Sequence, residues 1–352
     1  MKKVVLFILK RREDFDIEKH NKLGLSTGLY NSAKFMSDML VDAGVDSRLE
    51  VAIDNNCIDR LVTQHRPTHV IIEALWVVPS KFAILTKLHP KVNWIIRLHS
   101  EMPFLAGEGS ALDWVGDYMS YQNISIGVNA PRMLKEIRTF IKIKEGWKDN
   151  RINEKIFYLP NFYPQEYKTK EYKINKEYIN IGCFGAVRPL KNHILQAIAA
   201  LKFADSINKK LNFHINVGRT EMKGEPVMSN LRHIFQHLYE KGHRLIENVW
   251  TPREEFLDLC GKMDIGLQVS FSETFNIVGA DIISQGVPVV GSMEIPWLDE
   301  KYSARAQFSD EIFEALVQTH HHPRDNIEIN QKKLTEYTNQ TRKEWVEYFT
   351  GD

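Results

Sequence analysis

The chain has 352 residues, of which 43% are hydrophobic and 26% are charged, and this composition describes a globular protein of two ordinary-sized domains. The formal net charge is +1, so the overall charge of the chain does not indicate a polyanionic partner. A local basic patch is still compatible with this net charge. Three cysteines without a Cys-x-x-Cys pair argue against a disulfide framework or a thiolate zinc site and favour a reducing, cytoplasmic location.

The N-terminus carries an apolar run that is too short to be an export signal. Val4–Leu9 is followed directly by Lys10, Arg11 and Arg12 without a cleavage motif, which favours a first buried strand. No apolar stretch of about 18 residues occurs anywhere in the chain, so no membrane span is predicted.

Short apolar runs then alternate with helical patterns through the first half of the chain. Strands are predicted at Val4–Leu9, Val70–Glu73, Trp94–Leu98 and Ser125–Val128. An amphipathic helix is predicted over Asn31–Ala43, with Gly44 as its C-cap. This alternation is typical of a doubly wound parallel sheet.

The second half repeats the scheme after a linker with two prolines and a stretch rich in lysine and tyrosine, Tyr167–Tyr178. Strands are predicted at Ile179–Phe184, Asn212–Val217, Ile265–Val269 and Val287–Val290. Helices are predicted over Asn192–Ile207 and, at the end of the chain, over Gln331–Phe349. We therefore expect a domain boundary between residues 165 and 166.

The most informative segment is DIGLQVSFSETFNIVGADIISQGVPVVGS, residues 264–292, which predicts a βαβ unit whose helix begins near Phe275. Glu273 follows the C-terminal end of the first strand, where open α/β sheets bind ligands. Asp281 lies eight residues later, so the two acids are about two helical turns apart and are predicted to share a face. A phosphate site is predicted at the helix N-terminus, from the backbone N–H groups near Thr274, Phe275 and Asn276.

This segment resembles the donor-sugar signature of retaining GT-B glycosyltransferases of the family-4 type, in which a Glu-x7-Glu pair grips the nucleotide sugar. Here the pattern is Glu273-x7-Asp281, so the second acid is shorter by a methylene and its changed reach leaves the nucleotide open. The resemblance implies that Glu273 contacts the sugar ring, exposed in a cleft, and that Asp281 contacts the ribose hydroxyls. For the acids alone, a helix N-cap followed by a solvated helix face is the alternative.

The resemblance also implies the architecture. It predicts an α/β protein of the GT-B class, with two Rossmann-like doubly wound domains that face a central cleft where the nucleotide sugar binds. Residues 1–165 are expected to form the acceptor-side domain and residues 166–330 the nucleotide-sugar domain. Residues 331–352 are expected to form a C-terminal helix that packs back on the first domain.

A glycine loop follows the first strand of the second half and contains Gly185, Arg188 and Lys191. It resembles the loop in which the family's Arg and Lys contact the donor diphosphate. Fixed cations there stabilise the negative charge that grows on the leaving group. A strand-to-helix turn with solvated basic residues is the alternative. Gly218 and Arg219 resemble the family's short glycine turn near the nucleotide.

Two loops of the first half complete the expected site. Ser26, Thr27 and Gly28 precede the first helix and resemble the family loop that approaches the diphosphate and the acceptor. His99 follows the strand at Trp94–Leu98, where family members often carry a histidine that positions the transferred sugar, although a lone histidine at a strand end is usually structural. Glu101 is the candidate for an acceptor-side base.

The sequence therefore predicts a retaining hexosyl- or pentosyltransferase that uses a nucleotide-diphospho sugar, UDP-sugar by preference, without metal or cofactor. The acceptor stays open between a hydroxymethylated base of phage DNA and a carbohydrate or surface polymer. The DNA acceptor rests on a phage-like texture, the basic segment Lys10–Lys22 and the likeness of Thr341–Trp345 to the end of phage DNA glucosyltransferases; it implies the host cytoplasm. The alternatives are a GT-B sugar-nucleotide epimerase and a sugar-nucleotide-binding module.

Overall fold

The computed structural model describes residues 3–10, 27–170 and 177–351 of the chain, which divide into two compact units. Unit 1 contains residues 3–10, 27–164 and 338–351, and unit 2 contains residues 165–170 and 177–337. Each unit is built on a six-stranded parallel sheet with helices packed against it. The predicted α/β class with two parallel sheets is therefore confirmed.

The sheet of unit 1 is fully parallel. Its strands are β1 (Val4–Lys10), β2 (Asp46–Ala52), β3 (His69–Glu73), β4 (Asn93–Leu98), β5 (Ile124–Val128) and β6 (Ile156–Tyr158), in the order β2-β1-β3-β4-β5-β6. Its first seven helices are α1 (Gly28–Asp42), α2 (Cys57–His65), α3 (Phe82–Leu88), α4 (Met102–Leu105), α5 (Ala111–Tyr118), α6 (Pro131–Glu145) and α7 (Asp149–Lys155). Because the strands are parallel, their C-terminal ends meet at one edge of the sheet.

The core of unit 1 lies on both faces of this sheet. Leu6 and Ile8 of β1 pack in one apolar cluster with residues of α2 and α3. Phe7, between them in the chain, enters a second cluster with residues of α1. All three side chains are fully buried, as expected for a parallel strand that is covered on both faces.

Unit 2 repeats this plan. Its strands are β7 (Tyr178–Gly182), β8 (Lys210–Asn216), β9 (Arg244–Asn248), β10 (Ile265–Gln268), β11 (Val289–Ser292) and β12 (Ser303–Ala304), in the order β12-β11-β10-β7-β8-β9. The remaining helices are α8 (His193–Ser206), α9 (Gly224–Leu238), α10 (Arg253–Gly261), α11 (Ile277–Ser284), α12 (Ser309–His321) and α13 (Pro323–Thr350). In the described parts of the chain, no helix combines the length and the apolar character that a membrane crossing requires.

Two predicted boundaries are shifted where a buried polar contact joins the elements. β11 begins at Val289 rather than Val287, and α13 begins at Pro323 rather than Gln331. Asn326, in the first turns of α13, is fully buried, and its amide pairs with the N–H and the C=O of Val289 at 3.0 and 2.9 Å. An apolar period does not reveal such a contact, so the sequence pattern places the start of the helix too late.

The last turns of α13 belong to unit 1. The Trp345 indole N–H donates to the Pro160 carbonyl at 2.9 Å, and its ring stacks on Phe7 with centroids 6.0 Å apart. The Thr341 hydroxyl, also buried, donates to the Asn161 carbonyl at 3.2 Å. Thr341 and Trp345 are the first and last residues of the segment that resembles the end of phage DNA glucosyltransferases. Both side chains have a structural role in the core of unit 1.

Candidate functional site

The loops that follow β7 and β10 bring two of the predicted residues into direct contact. The Lys191 ammonium forms an ion pair with the Glu273 carboxylate, and the two side chains are only 12% and 9% exposed. β7 and β10 are neighbours in the sheet, so their C-terminal loops lie side by side. The prediction of an exposed Glu273 is wrong, because Lys191 covers this carboxylate.

The loop that carries Lys191 bends at Gly185. Gly185 has φ = +116°, which a residue with a side chain rarely adopts, and its N–H donates to the buried Asn216 side chain at 2.9 Å. A Cβ at this position would lie 3.8 Å from the Lys191 side chain. The left-handed backbone, rather than a lack of space, is therefore what favours glycine at position 185.

Two further cations converge on one carboxylate beside this loop. Glu221 accepts from Arg188 Nη1 at 2.8 Å and from Arg219 Nε at 2.7 Å. The backbones of the two loops are tied together, since Val187 N–H donates to the Arg219 carbonyl at 3.1 Å and Glu221 N–H donates to the Val187 carbonyl at 2.9 Å. Gly218, with φ = +86°, turns the chain just before Arg219. The string Gly-Arg-Thr-Glu was the only sequence signal for Glu221, and it does not reveal that Glu221 pairs with Arg188.

The donor segment, residues 264–292, contains helix α11, and the side chain of Asn276 caps the N-terminus of this helix. Asn276 adopts φ = +59°, and its side-chain oxygen accepts from the Gly279 N–H at 2.7 Å. Phe275 is buried, and its carbonyl accepts from the Trp297 indole at 2.7 Å. Thr274, at the limit of burial, precedes them in the loop. α11 therefore starts two residues later than predicted, and the Asn276 side chain already binds one of its N-terminal N–H groups.

Asp281 lies inside α11 and has a cationic partner of its own. Its side chain is 3% exposed and forms an ion pair with Arg253 of α10 at 2.8 Å. Glu273 precedes the left-handed Asn276, outside the helix, so the prediction that the two acids share a helix face is wrong. Contact of Asp281 with ribose stays a prediction.

Two residues whose roles sequence reasoning missed, Asn192 and His193, lie where the glycine loop meets α8. The Asn192 side chain donates to the carbonyls of Val269 and Ala306 at 3.1 and 2.8 Å, and its backbone has φ = +58°. His193 begins α8 and is almost completely buried. Burial, reinforced by the charges of Lys191 and Arg188, lowers the pKa of His193 to about 3, so this imidazole is neutral.

In unit 1 the predicted histidine belongs to a buried charged cluster at the C-terminal edge of the sheet. Glu73 ends β3 and lies opposite Arg97 of β4, with Arg97 Nη1 and Glu73 Oε1 3.2 Å apart. His99 Nε2 contacts the other oxygen of Glu73 directly. Burial opposes the ionisation of Glu73, but the charge of Arg97 and the hydrogen bonds from His99 and Arg97 outweigh it and hold the pKa of the carboxyl below its ordinary value.

Glu101 and the loop before α1 have other contacts. Glu101 is 4% exposed and forms an ion pair with Arg132 of α6, so a role as a base would require Arg132 to release it. The Thr27 hydroxyl accepts from the Tyr30 N–H at 3.3 Å and caps α1, which begins at Gly28 rather than at the predicted Asn31. Ser26 and most of the basic segment, residues 11–22, lie outside the described residues.

The fold was compared with known proteins. No protein-family model and no curated protein sequence matches the chain. The sucrose-phosphate synthase of Thermosynechococcus elongatus has a TM-score of 0.68 and 9% identity, over 99% of this chain and 100% of that chain. A UDP-forming α,α-trehalose-phosphate synthase from Burkholderia xenovorans has a TM-score of 0.67 and 10% identity, over 100% and 98%. Anabaena HepE, in complex with UDP and glucose, has a TM-score of 0.65 and 12% identity, over 99% and 100%.

The chain has the GT-B fold. At these identities the likeness establishes the fold alone, so any activity has to be argued from the side chains described above. The GT-B fold accounts for the two parallel sheets, which the resemblance of the donor segment predicted.

Proposed function

We propose that the chain is a retaining glycosyltransferase that takes its sugar from a nucleotide-diphospho donor bound by unit 2. The observation that carries the proposal is the Lys191–Glu273 pair at the C-terminal ends of β7 and β10, with Arg188 beside it in the same loop. Sugar transfer from such a donor needs cations for a diphosphate and a carboxylate for sugar hydroxyls within a few ångströms of one another.

In this proposal the donor exchanges the intramolecular partners of these residues for its own groups. Lys191 and Arg188 leave their carboxylates to bind the diphosphate, and they stabilise the negative charge that grows on it as the glycosidic bond breaks. Glu273, released from Lys191, accepts hydrogen bonds from the sugar ring. The acceptor hydroxyl attacks on the face from which the diphosphate departs, and the departing phosphate takes its proton, so no side chain is assigned as a nucleophile.

UDP is the proposed nucleotide. The similar trehalose-phosphate synthase is described as UDP-forming, and HepE was crystallised with UDP and glucose, which supports a uridine donor for a chain of the same fold. Arg219, whose guanidinium lies 5.4 Å from the centre of the Trp250 ring, continues the row of loops from β7 to β9, and we assign it to the nucleotide side of the donor.

The experiment is a transfer assay with labelled UDP-hexoses and UDP-pentoses on the purified chain and on Glu273→Gln. This substitution keeps the volume and removes the charge, so transfer should fall at least a hundredfold while UDP still binds. Glu311→Gln, which breaks an exposed ion pair with Arg305 in the same unit, is the matched control and should transfer normally. Wild-type turnover by Glu273→Gln would contradict the proposal, and an inverted anomeric configuration in the product would contradict retention.

Two acceptors are to be tested side by side. Hydroxymethylated duplex DNA is supported by sequence alone, since most of its basic segment lies outside the described residues. Binding of that duplex should weaken by orders of magnitude between low and moderate salt, and its digest should contain a glycosylated nucleoside. Labelled glycan with unmodified DNA would assign a carbohydrate acceptor. An epimerised UDP-sugar without an acceptor would indicate the epimerase, and UDP binding without turnover the binding module.

A further inference from the structure

Strand β2 lies at one end of the sheet of unit 1, and among the described residues no further strand pairs with its outer side. It has seven residues, as many as β1, with which it pairs on its inner side. An uncovered edge of this length is a template for another strand, because it presents a row of backbone N–H and C=O groups. A cavity of about 550 Å³ follows the edge and is lined by residues of β2, α1 and α2, and its lining includes two exposed apolar side chains, Val41 and Ile53.

The backbone groups that point outward from this edge belong to Ser47, Leu49 and Val51. The Ala74 N–H, directly after β3, donates to the Arg97 carbonyl of β4 at 2.9 Å, so the even-numbered residues of β3 direct their backbone groups toward β4. Along a strand these groups alternate in direction, and in a parallel ladder each residue bonds to the neighbours of its register partner. The registers of β3 with β1 and of β1 with β2 match odd numbers with odd numbers. The even-numbered residues of β2 therefore bond to β1, and the odd-numbered residues point away from the sheet.

Two opposite charges stand side by side on one face of β2 and are held by the same histidine. Glu50 Oε1 lies 2.7 Å from His65 Nε2, and Arg48 Nη1 lies 3.1 Å from His65 Nδ1. Asp46 Oδ1 is 3.5 Å from Arg48 Nε. The side chains of Arg48 and Glu50 are nevertheless 51% and 33% exposed. Because both side chains are already ordered, a contact with a further strand would cost them little conformational entropy.

We propose that β2 pairs with β2 of a second copy of this chain, antiparallel to it, about a two-fold axis at Leu49. The outward backbone groups of Leu49 then bond to Leu49 of the second copy, and those of Ser47 bond to Val51 of the second copy. Arg48 of each copy lies directly opposite Glu50 of the other, between two hydrogen-bonded pairs, where the Cα atoms are about 4.5 Å apart and the side chains are closest. Two ion pairs between the copies follow from this geometry.

The charges of the strand select this register. With the axis at Arg48 two guanidinium groups would face each other, and with the axis at Glu50 two carboxylates would do so. Like charges that lie directly opposite destabilise a sheet, whereas opposite charges stabilise it. A two-fold axis makes every contact occur twice, so this preference acts twice. The strand is thus complementary to itself, and this complementarity identifies the partner as a second copy.

The first test is the oligomeric state of the purified chain in sedimentation equilibrium, where the wild type should be a dimer. Arg48→Glu and Glu50→Arg each place like charges opposite each other in both pairs, so either change should weaken self-association about tenfold or more. An equal mixture of the two variants has opposite charges in both pairs again and should form the dimer that each variant alone has lost. A monomeric wild type, a dimer that both variants retain, or a mixture as monomeric as its components would overturn the proposal.

Lys142→Glu is the matched control for these variants. It makes the same change of charge as Arg48→Glu at an exposed position of α6, a helix that packs against β5 and β6 at the other end of the sheet. The control should remain a dimer. Its dissociation would show that net charge, rather than the β2 register, governs self-association.

The second test removes a backbone bond at the axis. Leu49→Pro deletes an N–H that points outward and does not belong to the ladder with β1, so the variant should fold, as judged by circular dichroism, and be a monomer. A folded dimer of Leu49→Pro would contradict the proposed pairing, and if this variant does not fold, the mixing experiment decides. The inference does not depend on the proposed function, because self-association is measured without a sugar donor.

Discussion

The two sheets carry charged side chains at the same edge, the C-terminal ends of their strands, but they hold them differently. In unit 1 the side chains of Glu73 and Arg97 are completely buried within the sheet. In unit 2 the side chains of Lys191, Arg188 and Glu221 are 12%, 20% and 15% exposed and lie on loops. A completely buried pair cannot change partners without a large desolvation cost, whereas the cost is smaller for a loop pair that keeps some solvent exposure. The comparison separates charges that organise the structure from charges that are available to a ligand.

The largest expected difference between the units is in stability. Arg97→Met leaves Glu73 buried without its cation and should reduce the free energy of unfolding by about 3–5 kcal/mol. Arg188→Met removes a cation from a partly exposed loop pair and should cost about 1 kcal/mol or less. Urea denaturation followed by circular dichroism measures both. Equal losses in the two variants would remove the distinction between the units.

The reverse order is expected for ligand binding. Arg188→Met and Lys191→Met should each weaken UDP binding by about 1.5–3 kcal/mol, roughly 10- to 100-fold, because each removes a charged contact to phosphate. Arg97→Met should retain UDP affinity in the folded protein, and Arg305→Met, in an exposed pair with Glu311, serves as the surface control. Isothermal titration calorimetry gives the affinities, and an unchanged affinity in both loop variants would place the phosphate elsewhere.

Acidic pH should lower the stability of unit 2 because His193 is buried in its neutral form. Burial lowers the pKa of His193 to about 3 from an ordinary value of 6.5, so protonation favours the unfolded chain. The contribution of His193 to the free energy of unfolding is complete above pH 6.5 and declines by about 1.4 kcal/mol per pH unit as the pH falls from 6.5 towards 3. The loss at pH 5 is therefore about 2 kcal/mol relative to neutral pH. Denaturation of wild type and His193→Gln at pH 7 and pH 5 measures this share. A pH dependence that is equal in the two proteins would exclude His193 as its source.

The smallest effect is expected from chelation. If the cations of the unit 2 loops neutralise the leaving group, transfer should proceed at the same rate in EDTA. The assay is the transfer reaction with and without the chelator at saturating donor. Complete loss that manganese or magnesium restores would contradict this assignment.

Sequence patterns predicted the parts of this fold that depend on local order. Apolar runs predicted four of the six strands described in unit 1, β1, β3, β4 and β5, to within about a residue at each end, because burial on both faces leaves a continuous apolar signal. β2 and β6 were not predicted. The position of Glu273 beyond a strand end also follows from local order. Local order was enough to locate the loop that carries Glu273, but it did not predict the partner of the Glu273 side chain.

The partners of the site residues were not predictable in the same way. Lys191 and Glu273 are 82 residues apart, and Arg97 and Glu73 are 24 apart, so each pair depends on which strands become neighbours in the sheet. The start of α11 depends on the left-handed backbone of Asn276, which a helical period does not encode. These features arise from tertiary contacts, and a single sequence carries no local signal for them.

The contact of Trp345 with Pro160 has a consequence for the order of events during synthesis. The two residues are 185 positions apart, and the described residues of unit 2 lie between them in the chain. The ribosome therefore completes unit 2 before the residues that close the core of unit 1 exist. Until then Phe7 can pack against α1 but lacks its stacking partner, Trp345, so the core of unit 1 is completed only after unit 2 has been synthesised.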